Sequence, residues 1–236
     1  MLRATGASVT GPGHLLVGDA NQDAISLRGW RGGWIAAVAD GLGSRPLSGV
    51  GSRLAVKTAQ QTIRALANAQ EFHAAEARQI ATTFYRRWLS AVPFADKSSA
   101  ACTLMLAACD VGGNTRIWQL GDGLVVCRTQ GSFKVVTPER TGFGNETRAL
   151  GIHRAWSDWS TADVVLRDRG DAVILMTDGV SDDIRPGALE TFSETVVRRV
   201  AAKTRRTGRS WMTNELTHWS TPGHTDDKTI AVIYKG

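Results

Sequence analysis

The chain has little cysteine and little histidine, and these shortages remove whole classes of site. Its 236 residues include 3 cysteines and 5 histidines. Cys102, Cys109 and Cys127 are odd in number and lack the CxxC spacing of zinc sites, which argues against a disulfide framework and against a cysteine-bound zinc. The histidines show no paired metal spacing. We therefore expect the cysteines to be buried free thiols in a reducing compartment.

Long apolar runs are also missing from the sequence. None approaches the ~20 residues that a membrane span needs. The first 18 residues contain no long apolar core of a secretion signal. We therefore expect no membrane association and a cytoplasmic location.

The net charge of +6 favours an acidic partner, such as nucleic acid, an anionic membrane surface or a phosphorylated protein. The densest basic stretch, from Arg198 to Arg209, fits the solvated polar face and end of a helix. Aromatic and basic residues do not interleave as they do on nucleic-acid-binding surfaces. Nucleic acid is therefore not an expected partner.

The apolar periodicity changes several times along the chain and predicts a mixed order of elements. Strand-length runs lie at residues 14–17, 24–27, 33–39, 101–108, 115–120, 124–128, 133–136, 172–177 and 229–234. Helical spacing covers residues 48–68, 73–89, 189–203 and 209–218. This order fits one α+β domain over residues 1–236, with antiparallel sheets covered by helices. Residues 138–168 are predicted to be irregular, and loops of that length are usually functional.

Aspartates stand at the ends of the predicted strands. Five segments contribute one each: Asp23, Asp40, Asp122, Asp178 and Asp226. Carboxylates that converge at strand ends repel one another unless cations hold them. Hard divalent ions prefer oxygen ligands, and two of them about 3.5–4 Å apart activate water and clamp a phosphoryl group. Each Asp-Gly pair alone is a common turn signal, but the set favours an oxygen-ligand metal site.

Six short segments follow one another along the chain and extend the aspartate pattern. They are Asn21-Gln22-Asp23-Ala24, Asp40-Gly41-Leu42-Gly43, Gly121-Asp122-Gly123, Thr147-Arg148-Ala149-Leu150-Gly151, Thr177-Asp178-Gly179-Val180-Ser181-Asp182 and Asp226-Asp227-Lys228-Thr229. In this order they resemble the motifs of the metal-dependent protein phosphatases of type 2C. No single segment is decisive, whereas six in order are highly specific. The resemblance spans residues 18–234, and the compact form is similar to stand-alone bacterial members.

The resemblance implies a fold and an activity. The fold would be α+β, with a central antiparallel β-sandwich flanked by helices in four layers and with metals at one end. Residues 138–168 would form a flap beside the site. The activity would be hydrolysis of phosphoserine or phosphothreonine in a phosphorylated protein, by a water that two or three Mn²⁺ or Mg²⁺ ions activate. The substrate would be the target of a Ser/Thr kinase or that kinase itself.

The resemblance also implies residue roles. Asp40 would bridge two metals, and the Gly41 carbonyl would bind one of them. Asp178 and Asp226 would bind the other metal. Asp23, in the first of the six segments, would act on a metal directly or through a bound water. Among these, Asp23, Asp40 and Asp178 would be the catalytic carboxylates.

Two further sites follow from the resemblance. Asp122 would help Asp178 to hold a third, weaker metal. Many members carry a phosphate-binding arginine where this chain has Gly18. Arg45, just past the Asp40 loop, is one candidate replacement; Arg28 and Arg3 are others.

Gln22 is a second departure, because many members have glutamate there. The loss of one negative charge is expected to weaken metal binding, although Asp227, at a usual asparagine position, restores part of that charge. These departures keep an alternative open: a catalytically weak or inactive phosphatase-like module that binds a kinase or a phosphoprotein.

Overall fold

The structure is a computed structural model that describes residues 1–137, 147–219 and 221–236. Its strands form two antiparallel sheets of five strands each. In spatial order, the first sheet contains β1 (Leu2–Val9), β10 (Lys228–Lys235), β9 (Ala172–Met176), β6 (Leu124–Thr129) and β7 (Ser132–Val135). The second contains β2 (Ala24–Trp30), β3 (Gly33–Ala39), β4 (Leu104–Cys109), β5 (Asn114–Leu120) and β8 (Ser160–Val165).

The described residues form six α-helices, and the four longest of them cover the outer faces of the two sheets. The six helices are α1 (Pro12–Val17), α2 (Ser48–Asn68), α3 (Ala77–Ala91), α4 (Asp178–Ser181), α5 (Leu189–Ala201) and α6 (Arg205–His218). Short 3-10 turns occupy Lys97–Ala100, Trp156–Asp158 and Pro186–Ala188. None of the helices within the described ranges has the length and apolar character needed to cross a membrane.

Three apolar layers separate the four layers of secondary structure. Val38, Leu175 and Ile233 lie in the layer between the two sheets. A second layer joins α2 and α3 to the second sheet, and a third joins α5 and α6 to the first. Strand β9 is buried along its whole length, which explains why it reads as an unbroken apolar run. The prediction of an α+β four-layer sandwich is confirmed.

Near the N-terminus one prediction is wrong and one strand was not predicted. Residues 14–17 were expected to form a strand but belong to α1, which begins at Pro12 and ends at Val17. The next residue, Gly18, adopts the left-handed conformation (φ 77°). Leu16 is 87% exposed, so this apolar run does not contribute to the core. Conversely, strand β1 was not predicted. Its arginine, threonine and serine interrupt the apolar pattern that indicates a strand. It forms because it pairs with the apolar β10 along its full length, from Leu2↔Lys235 to Val9↔Lys228.

The segment expected to be irregular is shorter than predicted. Residues 138–146 lie outside the described part of the chain. Residues 160–165 are not irregular, because they form β8 and pair with β5 from Asn114↔Val165 to Gln119↔Ser160. Polar residues alternate in β8, as suits an edge strand with one solvated face, and this weakened its apolar signal. Between the undescribed residues and β8, the predicted flap is therefore left with residues 147–159.

Candidate metal centre at one end of the sandwich

The antiparallel pairing brings the strand-end aspartates to one end of the sandwich. Asp23 directly precedes β2 and Asp40 directly follows β3, and the adjoining Ala24 and Ala39 are paired. Asp178 follows β9 after one residue, and Asp226 lies just before β10. Because β9 and β10 are also paired, all four segments meet at the same end.

A cavity of about 540 Å³ opens at this end. The carboxylates that line it are Asp40, Asp122, Asp178, Asp182 and Asp226. Its described lining also includes His14 and His224, and neither lysine nor arginine. Asp23, which is 6% exposed, contacts Asp40 from behind the described lining and does not itself line the cavity. The site therefore concentrates negative charge that no described lysine or arginine in its lining offsets.

Burial and mutual repulsion raise the pKa of three of these carboxyl groups. Burial raises the pKa of Asp23 to about 7. The pKa of Asp178 rises to about 6, through burial first and then through the charges of Asp122 and Asp226. Burial and the charges of Asp23 and Asp178 hold the pKa of Asp40 well above its usual range. In all three, the ionised form is costly until a cation compensates it.

The donor set fits divalent metal ions. One oxygen each from Asp40, Asp122 and Asp178 lie within 4.8 Å of one another. Asp23 Oδ2 accepts from the Thr177 hydroxyl at 2.9 Å, whereas the buried Asp23 Oδ1 has no hydrogen-bond partner among the described residues. An oxygen-rich cluster with an unsatisfied buried oxygen is what Mn²⁺ or Mg²⁺ would complete.

Asp227 organises the loops around the cavity. Its Oδ1 accepts from the backbone N–H of Gly11 at 2.7 Å, and its Oδ2 from that of Gln22 at 2.6 Å. His14 Nδ1 lies 3.0 Å from Asp227 Oδ1. Asp227, which directly precedes β10, thus links that strand to the start of α1 and to the segment Asn21-Gln22-Asp23-Ala24. His14, Asp226 and Asp227 also form a group with metal-ligand spacing.

Close backbone contacts explain two glycines of the motifs. A Cβ at Gly41 would lie 2.9 Å from the Gln22 carbonyl oxygen. A Cβ at Gly179 would lie 2.0 Å from the Asp227 carbonyl oxygen. A side chain at either position would push apart two segments that carry the site. The Asp40 backbone is fixed as well, because its N–H donates to Thr103 Oγ1 at 2.9 Å.

The predicted phosphate-binding arginines do not enter the cavity. Arg45 lies outside the described lining, and its Nε is buried without a hydrogen-bond partner in the described chain. Arg3 donates to the Ala201 carbonyl at 3.1 Å, beside the end of α5. Arg28 lies in β2, five residues beyond Asp23, and is exposed. At Gly18 no heavy atom lies within 4 Å of an added Cβ, so this position offers space for a side chain.

Two cavity histidines were missed or left as loop residues. His14 was missed because it lay inside a wrongly predicted strand. The proline and glycines before it are the only sequence signal against that strand. His224 lies two residues before Asp226, and the absence of paired histidine spacing gave it no role in the sequence analysis. The structure places it in the cavity lining, with its Nδ1 in contact with Asp183 Oδ1.

The cysteines are buried free thiols, as expected. Burial raises the pKa of Cys109 to about 11 and that of Cys127 to about 12. Burial also raises the pKa of Cys102 well above its usual range. Because the thiolate is the reactive form, none of the three is a candidate nucleophile.

Comparison with known proteins gives one family match and several structural matches. The family model described as protein phosphatase 2C matches residues 10–219. No curated protein sequence matches significantly. The photosystem II phosphatase PBCP shares 15% identity at a TM-score of 0.67, over 100% of this chain and 99% of that chain. The catalytic domain of the serine/threonine protein phosphatase PstP, in complex with 2 manganese ions, shares 18% at 0.61, over 99% of each chain.

A further solved structure is similar over the same extent. The PPM Ser-Thr phosphatase MsPP from Mycobacterium smegmatis, in complex with cacodylate, shares 21% identity at a TM-score of 0.60, over 99% of this chain and 98% of that chain. At these identities, the structural matches establish the fold alone.

Proposed function

The chain belongs to the protein phosphatase 2C family, and on that premise we propose that it is a metal-dependent serine/threonine protein phosphatase. The observation that carries this proposal is the cluster of strand-end carboxylates with raised pKa values around one open cavity. Such a cluster is costly as a structural feature and useful as a metal cage.

We assign the metal ligands as the family resemblance implies, and the assignment is supported by the presence of all five residues in the lining of one cavity. Asp40 and the Gly41 carbonyl would hold two Mn²⁺ or Mg²⁺ ions together with Asp178 and Asp226. Asp122, whose Oδ2 accepts from Thr147 Oγ1 at 2.6 Å, would contribute to a third ion. When bound, these ions supply an activated water and neutralise charge on the phosphoryl group.

The chain's own residues hold this cage in place. Thr177 donates to Asp23 and accepts from the backbone N–H of Thr229 at 3.0 Å, so it links β9, β10 and the segment around Asp23. Asp23 would orient a metal ligand or a water through its unsatisfied Oδ1. We propose Asp23, Asp40 and Asp178 as the catalytic carboxylates, as the family resemblance implies.

The substrate we propose is phosphoserine or phosphothreonine in a protein that a Ser/Thr kinase modifies, or in the kinase itself. The cavity is open to solvent and lined with polar groups, which suits a phosphorylated loop. Arg45 receives no role in our proposal, because it does not line the cavity. His14 and His224 are the described lining residues able to carry positive charge toward a phosphate.

The test is hydrolysis of p-nitrophenyl phosphate and of a phosphothreonine peptide with Mn²⁺, with Mg²⁺ and with EDTA. Asp178→Asn should reduce kcat by roughly two orders of magnitude, because it removes a charge from the cage. Asp168→Asn is the matched control, since Asp168 is exposed and precedes β9 at the opposite end of the strand. Activity that persists in EDTA, or an equal loss in both variants, would contradict the proposal.

The alternative, a weak or inactive module that binds a kinase or a phosphoprotein, rests on Gly18 and Gln22. Gln22 lines the cavity, and its Oε1 accepts from Ser48 Oγ at 2.8 Å. A glutamine there removes one charge from the cage. Calorimetric metal binding without hydrolysis of either substrate would favour this alternative.

A further inference from the structure

A second cavity, of about 530 Å³, lies where the sheet edges meet α6. Strands β1 and β2 are edge strands of their respective sheets. Thr5 of β1 and Ile25 and Leu27 of β2 contribute to the cavity wall. Arg205, Arg206 and Arg209 of α6 line the same space. We call this cavity the arginine cleft.

The three arginines present uncompensated positive charge. All three are exposed, and none forms an ion pair within 4.0 Å with a carboxylate of the described chain. The cleft lining contains no described aspartate or glutamate. Arg205 is held with its Cζ 5.0 Å from the centre of the Trp34 ring. The cleft therefore has the opposite charge to the metal cavity.

A buried hydroxyl points to a ligand independently of these charges. Thr5 is 3% exposed, and its Oγ1 has no hydrogen-bond partner among residues 1–137, 147–219 and 221–236. It lines the cleft opposite Gly208 of α6, where an added Cβ would lie 3.8 Å from that oxygen. A buried hydroxyl without a partner is costly. An oxyanion in the cleft would accept from it.

The cleft lies within reach of the metal centre. Thr5 pairs with Val232, whereas the metal end of β1 is at Val9, which pairs with Lys228 next to Asp227. The two positions are four residues apart along β1, which corresponds to about 13 Å at about 3.3 Å per residue. A peptide bound at the metal centre would therefore bring residues about four or more positions from its phosphorylated residue to the cleft.

We propose that the arginine cleft binds a peptide segment of the protein substrate that carries clustered carboxylates or phosphates. Guanidinium groups match both oxyanions in geometry and charge. Ile25 and Leu27 provide an apolar wall for aliphatic parts of the peptide, and the volume suits a few side chains. The proposal deepens the proposed function and rests on it for the identity of the peptide.

The first test measures binding without turnover. A fluorescein-labelled peptide with three glutamates beside a leucine, and no phosphorylated residue, is titrated with the protein in EDTA. The double variant Arg206→Gln/Arg209→Gln should raise Kd about tenfold, as expected for loss of two charge-assisted contacts. The matched control is Arg198→Gln/Arg199→Gln on α5, which makes the same charge change at exposed positions outside the cleft. It should change Kd less than about twofold.

Thr5→Val keeps the side-chain shape and removes the hydroxyl, and it should raise Kd about threefold. Equal losses in the cleft variant and the α5 control would overturn the proposal, as would equal binding of a glutamine version of the peptide. Stronger competition by duplex DNA than by unlabelled peptide would assign the cleft to nucleic acid and also overturn it.

The second test links the cleft to turnover. Two phosphothreonine peptides are compared, one with glutamates four to six residues from the phosphothreonine and one with glutamines there. The wild type should prefer the glutamate peptide about tenfold in kcat/KM, and the Arg206→Gln/Arg209→Gln variant should lose that preference. Hydrolysis of p-nitrophenyl phosphate, which is too small to reach the cleft, should not change. If no protein hydrolyses any substrate, the proposed function fails, while the binding titration still decides whether the cleft binds acidic peptides.

Discussion

Asp178→Asn should stabilise the metal-free protein even though it removes activity. In the folded chain the pKa of Asp178 rises from 3.8 to about 6, because burial and the charges of Asp122 and Asp226 disfavour its ionised form. The unfolded chain ionises at the lower value. Between the two pKa values the folded state therefore holds a proton that the unfolded state releases, and stability falls as pH rises. Above about pH 6 the full cost of the ionised carboxylate is present.

The magnitude follows from that pKa change. At about 1.4 kcal/mol per pKa unit, the ionised carboxylate costs the folded state about 3 kcal/mol at pH 8. The asparagine keeps an oxygen for the Gly179 N–H, which donates to Asp178 Oδ1 at 2.8 Å. It loses a favourable charge at the start of α4, worth about 0.3–1 kcal/mol. The net gain should be about 2 kcal/mol at pH 8 and about 1 kcal/mol at pH 5.

The assay is urea denaturation in EDTA at both pH values, with Asp168→Asn as the control that should stay within about 0.5 kcal/mol of wild type. Mn²⁺ should then reverse the order, since a ligand that binds only the folded state stabilises it by mass action and the wild type binds it better. A variant less stable than wild type at pH 8 in EDTA would refute the reasoning. A gain that grows toward pH 5 would do the same.

Two glycine pairs extend these tests. Gly18→Arg should lower KM for phosphopeptides relative to Gly18→Gln, which has the same left-handed strain without the charge; an unchanged or higher KM would count against a phosphate site there. Gly51→Ala should lower the free energy of unfolding by about 2 kcal/mol, because its Cβ would lie 1.8 Å from the Ala100 carbonyl oxygen. Gly208→Ala should raise the free energy of unfolding by up to about 1 kcal/mol, because its Cβ would meet no atom closer than 3.8 Å. Urea denaturation measures both variants. A Gly51→Ala protein more stable than the Gly208→Ala protein would contradict both predictions.

The parts of the fold that were predicted correctly are those with strong local signals. Strands β3 and β9 are buried on both faces, so each reads as an apolar run that ends at an aspartate. Helix α2 was predicted with both ends correct, because small and apolar residues recur on the face that meets the second sheet. The signals failed where pairing or packing decided the outcome, as in β1, which depends on β10, and in α1, whose apolar residues are exposed.

The sequence alone determined which residue types stand at the strand ends, since a strand and its terminal aspartate are neighbours in the chain. Tertiary structure alone decided which oxygens meet. Thr177 reaches Asp23 across 154 residues, and Asp227 reaches Gly11 across 216 residues. The arginine cleft likewise joins β1 to α6, which lie about two hundred residues apart in the chain. Without knowledge of that contact, the arginines of α6 were interpreted as an ordinary solvated helix face. Periodicity reports local burial, whereas shared charge, unsatisfied hydroxyls and close backbone contacts arise only when distant segments pack together.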